Sequence, residues 1–271
     1  MSDPAAQRVL AGSVVSSMQL TEVATHSYEG TPPRTFGDRT FGGQVLGMAT
    51  AALMRSAAST DAPHSLHGYF LRPVAPDVPV QLLVEPVREG RSFRTFEVRL
   101  HQDGQPRFAA TGQFHADEPG VDYQPSMPAV PGADELEEHW PFGPVESRNL
   151  GPTPPAEDGT HASTRRAWLR LRNGLPDDPV VIAAMTAYVC DLTGNSFRPR
   201  SLDTYDGFVD ASLDHAMWFH RPLRVDQWVF FDIHCALNHA GRSFIRGSMY
   251  DEAGRLCVSM AQELLIRPTA R

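Results

Sequence analysis

The chain has 271 residues, enough for one large domain or two small ones. With 41% hydrophobic residues, a slightly negative mean hydropathy and no apolar run near the ~20 residues that span a bilayer, it reads as a globular protein with ample core and no membrane span. The net charge of −8 speaks against nucleic acid as main partner, and because all 24 basic residues are arginine, Schiff-base and Walker-type lysine chemistry is excluded.

The N-terminus, MSDPAAQRVLAGSVVSSMQL, lacks a basic region followed by a continuous apolar stretch, so no secretory signal is expected. Next comes a helix candidate, Phe41 to Ala57, rich in Ala, Leu and Met and opening on Gly42 and Gly43. The segments SFRTFEVRL and RFAATGQFHA then read as strands, joined by the turn signal Gln102-Asp103-Gly104-Gln105. From Asp117 to about Ser163 the chain is rich in Pro, Gly and acids, predicting an ordered linker with one short helix near Asp134–His139 and no core of its own. Thr164 to Arg172 alternates apolar residues with arginine and predicts a strand. A second helix follows Asp177-Asp178-Pro179, an acidic N-cap with proline at the first helical position, and runs through DPVVIAAMTAYVCD. Strands are predicted in HAMWFHRPL, QWVFFDIHCA, SFIRGSMYD and LCVSMAQELLI, with a turn at Asp251-Glu252-Ala253-Gly254.

The two halves share landmarks in the same order. Arg72-Pro73 answers to Arg221-Pro222, an offset of 149, and Gly90-Arg91-Ser92-Phe93 to Gly241-Arg242-Ser243-Phe244, an offset of 151. Gly104 answers to Gly254 at 150, and Gln113 to Gln262 at 149. A near-constant offset points to duplication. A helix followed by a run of antiparallel strands, repeated twice, predicts an α+β tandem (double) hotdog, each half an antiparallel sheet wrapped around a central helix; the second unit covers the sheet edge that a lone one would expose. The expected division is an N-terminal hotdog over 1–116, a Pro-rich acidic linker over 117–163 and a C-terminal hotdog over 164–271.

Several segments together resemble the TesB-type acyl-CoA thioesterase II family, including its peroxisomal members. They are Phe41-Gly42-Gly43-Gln44, the string from His64 to Pro73 (HSLHGYFLRP), Tyr188 to Asp191, the string from Leu213 to Pro222 (LDHAMWFHRP) and Ala261-Gln262-Glu263, within a match from about Arg34 to Arg267. The resemblance implies a double-hotdog fold and hydrolysis of acyl-CoA to free acid and CoA without metal or organic cofactor. Carried over residue by residue, it also implies a catalytic set of Asp191, Ser212 and Gln262. Leu192 to Asp210 departs from the family pattern, being polar where relatives tend to be apolar, which bears on acyl-chain preference. A homo-oligomer is also expected from the family.

The chemistry asks for an activated water, a polarised carbonyl and exclusion of solvent. Asp191 ends an apolar helix, where a negative charge faces the negative end of the helix dipole at an expected cost of ~0.3–1 kcal/mol. Such a residue is otherwise an exposed helix-terminal aspartate. Ser212 by itself reads as a turn or cap residue. Gln262 lies among apolar neighbours and must satisfy several hydrogen bonds, although Gln113 in the other half allows a structural role for both. Backbone N–H groups at Gly42 and Gly43 are candidates for polarising the carbonyl. An anionic CoA would be held by arginines and backbone N–H groups.

The first half offers Arg55-Ser56-Ala57 where the second has Asp191, which predicts one competent site per chain. His64, His67, His215 and His220 fit packing between halves better than base catalysis; His64 is the second-tier candidate. There is no HExxH or Cys/His cluster for a metal and no GxSxG for a serine nucleophile. Cys190 reads as a buried helix cysteine. Three cysteines without CxxC spacing point to a reducing compartment, so a cytoplasmic location is expected. Two rival functions stand beside the thioesterase. One is a non-catalytic acyl-CoA-binding protein on the same scaffold. The other is a MaoC-type enoyl-CoA hydratase, for which Asp210 and His215 have the spacing but Ala-Ser-Leu-Asp between them lacks Asn-Pro.

Overall fold

The computed structural model describes residues 4–57, 62–138, 143–151, 163–192 and 208–268. The first half holds helix α1 (Pro4–Ser16), strands β1 (Thr21–Ala24) and β2 (Ser27–Gly30), helix α2 (Gly42–Ala57), and strands β3 (Ala62–Phe70), β4 (Val80–Glu89), β5 (Phe93–Gln102) and β6 (Gln105–His115). The second holds β7 (Val145–Asn149), β8 (Ser163–Leu171), helix α3 (Pro179–Cys190), and β9 (Phe208–Ser212), β10 (Asp214–Phe219), β11 (Val229–His239), β12 (Arg242–Tyr250) and β13 (Leu256–Pro268). Antiparallel pairing links these strands into one sheet, in the order β1-β2-β4-β5-β6-β3-β10-β13-β12-β11-β8-β7, with β9 pairing β13.

Local chemistry accounts for the elements. Asp178 caps α3 by accepting a hydrogen bond from Val180 N–H at 2.9 Å, and Pro179 takes the first helical position. The hairpin between β5 and β6 turns on Asp103 and Gly104, both left-handed (φ 52° and 69°), as the tightest hairpin turn requires. Helix α1 is held because Ala11 and Val14, with Met18 just past its end, bury themselves in the common core.

Three expectations change in detail. The short helix in the linker is a 3-10 turn over Ala133–Glu135; His139 lies outside the described residues. The linker also contributes β7, whose Val145 to Asn149 pair with Leu171 to Ala167 of β8. Its described part ahead of β7 is also tied to the sheet: Trp168 Nε1 donates to Pro131 O at 2.9 Å, and Ala133 joins Trp168, Trp228, Phe230 and Tyr250 in a small second core. Thirdly, Gln113 and Gln262 are not counterparts. The offset of 149 that relates Arg72 to Arg221 also relates His67 to Ala216, which pair with one another where β3 meets β10, so the approximate twofold passes there. One residue inward, Leu66 answers to His215. Leu66 pairs with Gly112, and His215 falls beside Gln262 in the continuing register of Ala216 with Ala261, so Gly112 answers to Gln262. Strand alternation agrees: Gln262 is buried with Met260 and Leu264, whereas Gln113 lies between buried Gly112 and Phe114 and faces the opposite side.

Helices α2 and α3 pack antiparallel inside the sheet. Gly43 lies against the Tyr188 carbonyl and Gly47 against that of Ala184, where a Cβ would approach to 2.9 Å. These two glycines let the backbones touch. The N-terminus of α2 thereby meets the C-terminus of α3.

Candidate active site

Asp191 is the C-cap of α3 and is only 3% exposed. Because α3 is apolar almost all round, its side chains are swallowed by the core, and the carboxylate that ends it is carried inside with them. The antiparallel packing puts this carboxylate at the mouth of α2. Its Oδ2 sits so close to Gly42 that a Cβ there would be 2.5 Å away. The adverse end of one helix dipole is thus opposed by the favourable end of another, which is how a buried anion is tolerated here.

Gln262, on β13 and 1% exposed, donates from Nε2 to Asp191 Oδ1 at 2.7 Å and to Ser212 Oγ at 2.9 Å. One amide group therefore ties the helix end to β9, whose last residue is Ser212. Since Ser212 Oγ accepts from Gln262, its own proton is free to donate elsewhere. The three residues come from segments 21 and 50 positions apart in the chain, yet share one hydrogen-bonded chain.

A cavity of about 440 Å³ opens beside them. Asp191, Ser212 and Gly42 border it together with apolar Phe41, Val45, Phe70 and Leu264, while exposed Arg39 and Arg72 stand at its rim. That is a mostly apolar pocket with a few convergent polar groups, the pattern of a small-molecule site. Leu192 and Asp210 also border it; of the atypical polar segment between them, residues 193–207 lie outside the described residues.

The Asp191 charge registers in its neighbours. Burial, reinforced by this carboxylate, pushes the Tyr188 hydroxyl up and holds the Cys190 thiol well above its usual range. Cys190 is therefore a protonated packing residue, not a nucleophile.

Of the other candidates, Gly42 reaches the carboxylate, and Gly43 serves the helix contact with Tyr188. His64 is not brought to the cavity: its Nε2 is 3.0 Å from Gln113 Oε1, and its ring packs edge-on against Phe93. His67 packs against Trp218, and burial first, then His64, lowers its pKa. His220 hydrogen-bonds Ser259 at 2.9 Å. Sequence reasoning grouped His215 with these packing histidines. It is instead enclosed, with Nδ1 3.4 Å from Asp191 Oδ1. Only its inward phase on β10 could have set it apart, and that needed the register. Asp210 is exposed whereas His215 is enclosed, so the pair a hydratase needs does not share one environment.

In the first half the corresponding positions are apolar or structural. Gly112 is roofed by Leu53, whose Cδ1 lies 2.8 Å from where a Cβ would stand. Ser56 at the end of α2 hydrogen-bonds the Tyr28 hydroxyl at 3.1 Å.

Residues 31–115 match the family model described as acyl-CoA thioesterase N-terminal domain, and residues 122–266 the one described as acyl-CoA thioesterase C-terminal domain. Human acyl-coenzyme A thioesterase 8 is 30% identical over 258 residues, covering 84% of this chain and 81% of that protein. The solved acyl-CoA thioesterase II TesB2 of Mycobacterium marinum superposes with a TM-score of 0.83 at 33% identity, over 96% of this chain and 99% of that one. A hot dog-fold protein from Alicyclobacillus acidocaldarius, at 19% identity, shares the fold with a TM-score of 0.79 over 95% of this chain and 98% of that one.

Fold and matches together define a thioester hydrolase built on the hotdog sheet. More particularly, the chain belongs to the acyl-CoA thioesterase family, in its TesB-type branch. Among the described residues no helix is long and apolar enough to cross a membrane.

Proposed function

We propose that this chain hydrolyses acyl-CoA to free acid and CoA at the Asp191–Ser212–Gln262 cluster. The observation that carries the reading is the shared hydrogen-bond chain of those three groups, two of which, Asp191 and Ser212, border one cavity. Asp191 accepts a proton from a water oriented by Ser212, and the water oxygen bonds to the thioester carbon. The resulting oxyanion is stabilised by the opening N–H groups of α2 at Gly42 and Gly43. Collapse breaks the C–S bond and releases CoA thiolate, a leaving group good enough to need no strong acid. Arg39 and Arg72 are the cations at the rim for the CoA phosphates, and the apolar wall takes the acyl chain.

On the same reading the chain is a tandem double hotdog, divided as 1–116, 117–163 and 164–271, with one competent site because the first half lacks the polar set. It works on fatty acyl-CoA in the cytoplasm as a homo-oligomer, without cofactor. The test is a turnover panel of straight-chain acyl-CoAs from short to long, with CoA release followed by a thiol reagent and crotonyl-CoA hydration followed in parallel. Thioester cleavage across part of the panel is expected. Binding without CoA release would instead make this an acyl-CoA-binding protein, and hydration without release a hydratase.

A further inference from the structure

His215 is 1% exposed, and neither ring nitrogen has a hydrogen-bond partner among the described residues. Buried polar atoms are nearly always paired, so an orphaned imidazole in a core asks for a reason. Packing does not supply one. The twofold that relates the halves puts Leu66 at the same place in the first half, and that leucine fills its site at 2% exposure. A leucine therefore suits this position in the sheet, and the imidazole occurs in the half that carries Asp191.

We propose that His215 is a positioning residue for Asp191, its Nδ1–H directed at Asp191 Oδ1. Nδ1 stands 3.4 Å from an oxygen that already accepts from Gln262 at 2.7 Å. Two donors on Oδ1 fix the rotation of the carboxylate. Oδ2 is then held toward Gly42 and the cavity, where the attacking water is to lose its proton. The 3.4 Å separation is long for a hydrogen bond, as such contacts often are before substrate closes a site. The inference rests on the reading of Asp191 as the base.

The test substitutes His215→Leu, the side chain the first half uses, and His215→Asn, whose amide N–H falls nearest to the lost Nδ1. We expect His215→Leu to fold with unchanged KM and a kcat at least about tenfold lower. His215→Asn, although the smaller side chain, should recover part of that kcat. Wild-type kcat in the leucine variant, or an asparagine variant no faster than it, would overturn the proposal. Should neither variant fold, the ring ¹⁵N resonances of His215 decide it: Asp191→Asn must shift the Nδ1 signal, and an unmoved signal is equally fatal. An Asp191→Asn enzyme that still turns over defeats the site reading itself. An inactive Asp191→Asn enzyme beside a fully active His215→Leu enzyme defeats only the role of His215.

Discussion

Replacing Asp191 with Asn separates catalysis from stability, because the first should fall steeply while the second moves little. The substitution keeps the shape of the side chain and removes its charge and its capacity to accept a proton. Loss of a positioned general base costs roughly 10²- to 10⁴-fold in rate, or about 2.7–5.4 kcal/mol of barrier. Stability is pulled both ways. Removing an anion from the C-terminus of α3 relieves at most about 0.3–1 kcal/mol, less what the N-terminus of α2 already offsets. Weakening the charge-assisted bond from Gln262 gives back a comparable amount, since a hydrogen bond to a charged group is worth about 1.5–3 kcal/mol and the neutral one that replaces it about 1. The net change is on the order of 1 kcal/mol or less, which moves the melting temperature of a chain this size by about 2–4 °C at most. The assay is CoA release by thiol titration at saturating acyl-CoA, paired with thermal unfolding of the same preparation. A variant that keeps wild-type kcat, or one that loses it only because it no longer folds, would refute the reasoning.

Gly42→Ala should lower kcat at least about tenfold while sparing the fold, because its Cβ would sit 2.5 Å from Asp191 Oδ2 and turn the carboxylate away; circular dichroism and kcat read the two effects. Gly104→Ala is its control: at φ 69° it should cost about 1 kcal/mol of stability in urea unfolding and leave kcat alone. Gln262→Leu removes the amide that ties Asp191 to Ser212 and should cost about 10²-fold in kcat, with Ser212→Ala smaller, as steady-state kinetics will tell. Glu146 is raised by burial but lowered more by Arg170 and Arg148, which bond it at 2.8 and 3.0 Å, so its pKa is depressed in the folded state. Its stabilisation is complete above the usual carboxylate range and is lost as pH falls through and below that range. Urea unfolding should therefore find Glu146→Gln less stable than wild type at neutral pH, and the two should converge in acid.

Much of the fold could be read from local chemistry. The Asp178-Pro179 start of α3 and the Asp103-Gly104 turn are decided within a few residues, by capping and by backbone conformation. Offsets near 150 exposed the repeat, yet the glutamine pairing drawn from them was out by one residue. In a strand one residue decides the face, so Gln113 pointed away while Gly112 held the equivalent place. Strand β7 is different, because edge pairing with β8 holds it and it carries little local signal.

The candidate site divides in the same way. Residue types and family strings were enough to single out Asp191, Ser212 and Gln262, since a carboxylate after an apolar helix and an amide in an apolar strand are conspicuous in one dimension. Their convergence, the approach of Gly42 to the carboxylate, and the turning of His215 toward it were decided by the sheet register and by the antiparallel helix pair. Those depend on contacts between segments tens of residues apart. Spacing along a chain records which groups are available, and only packing determines which of them share a dielectric, a hydrogen bond and a cavity.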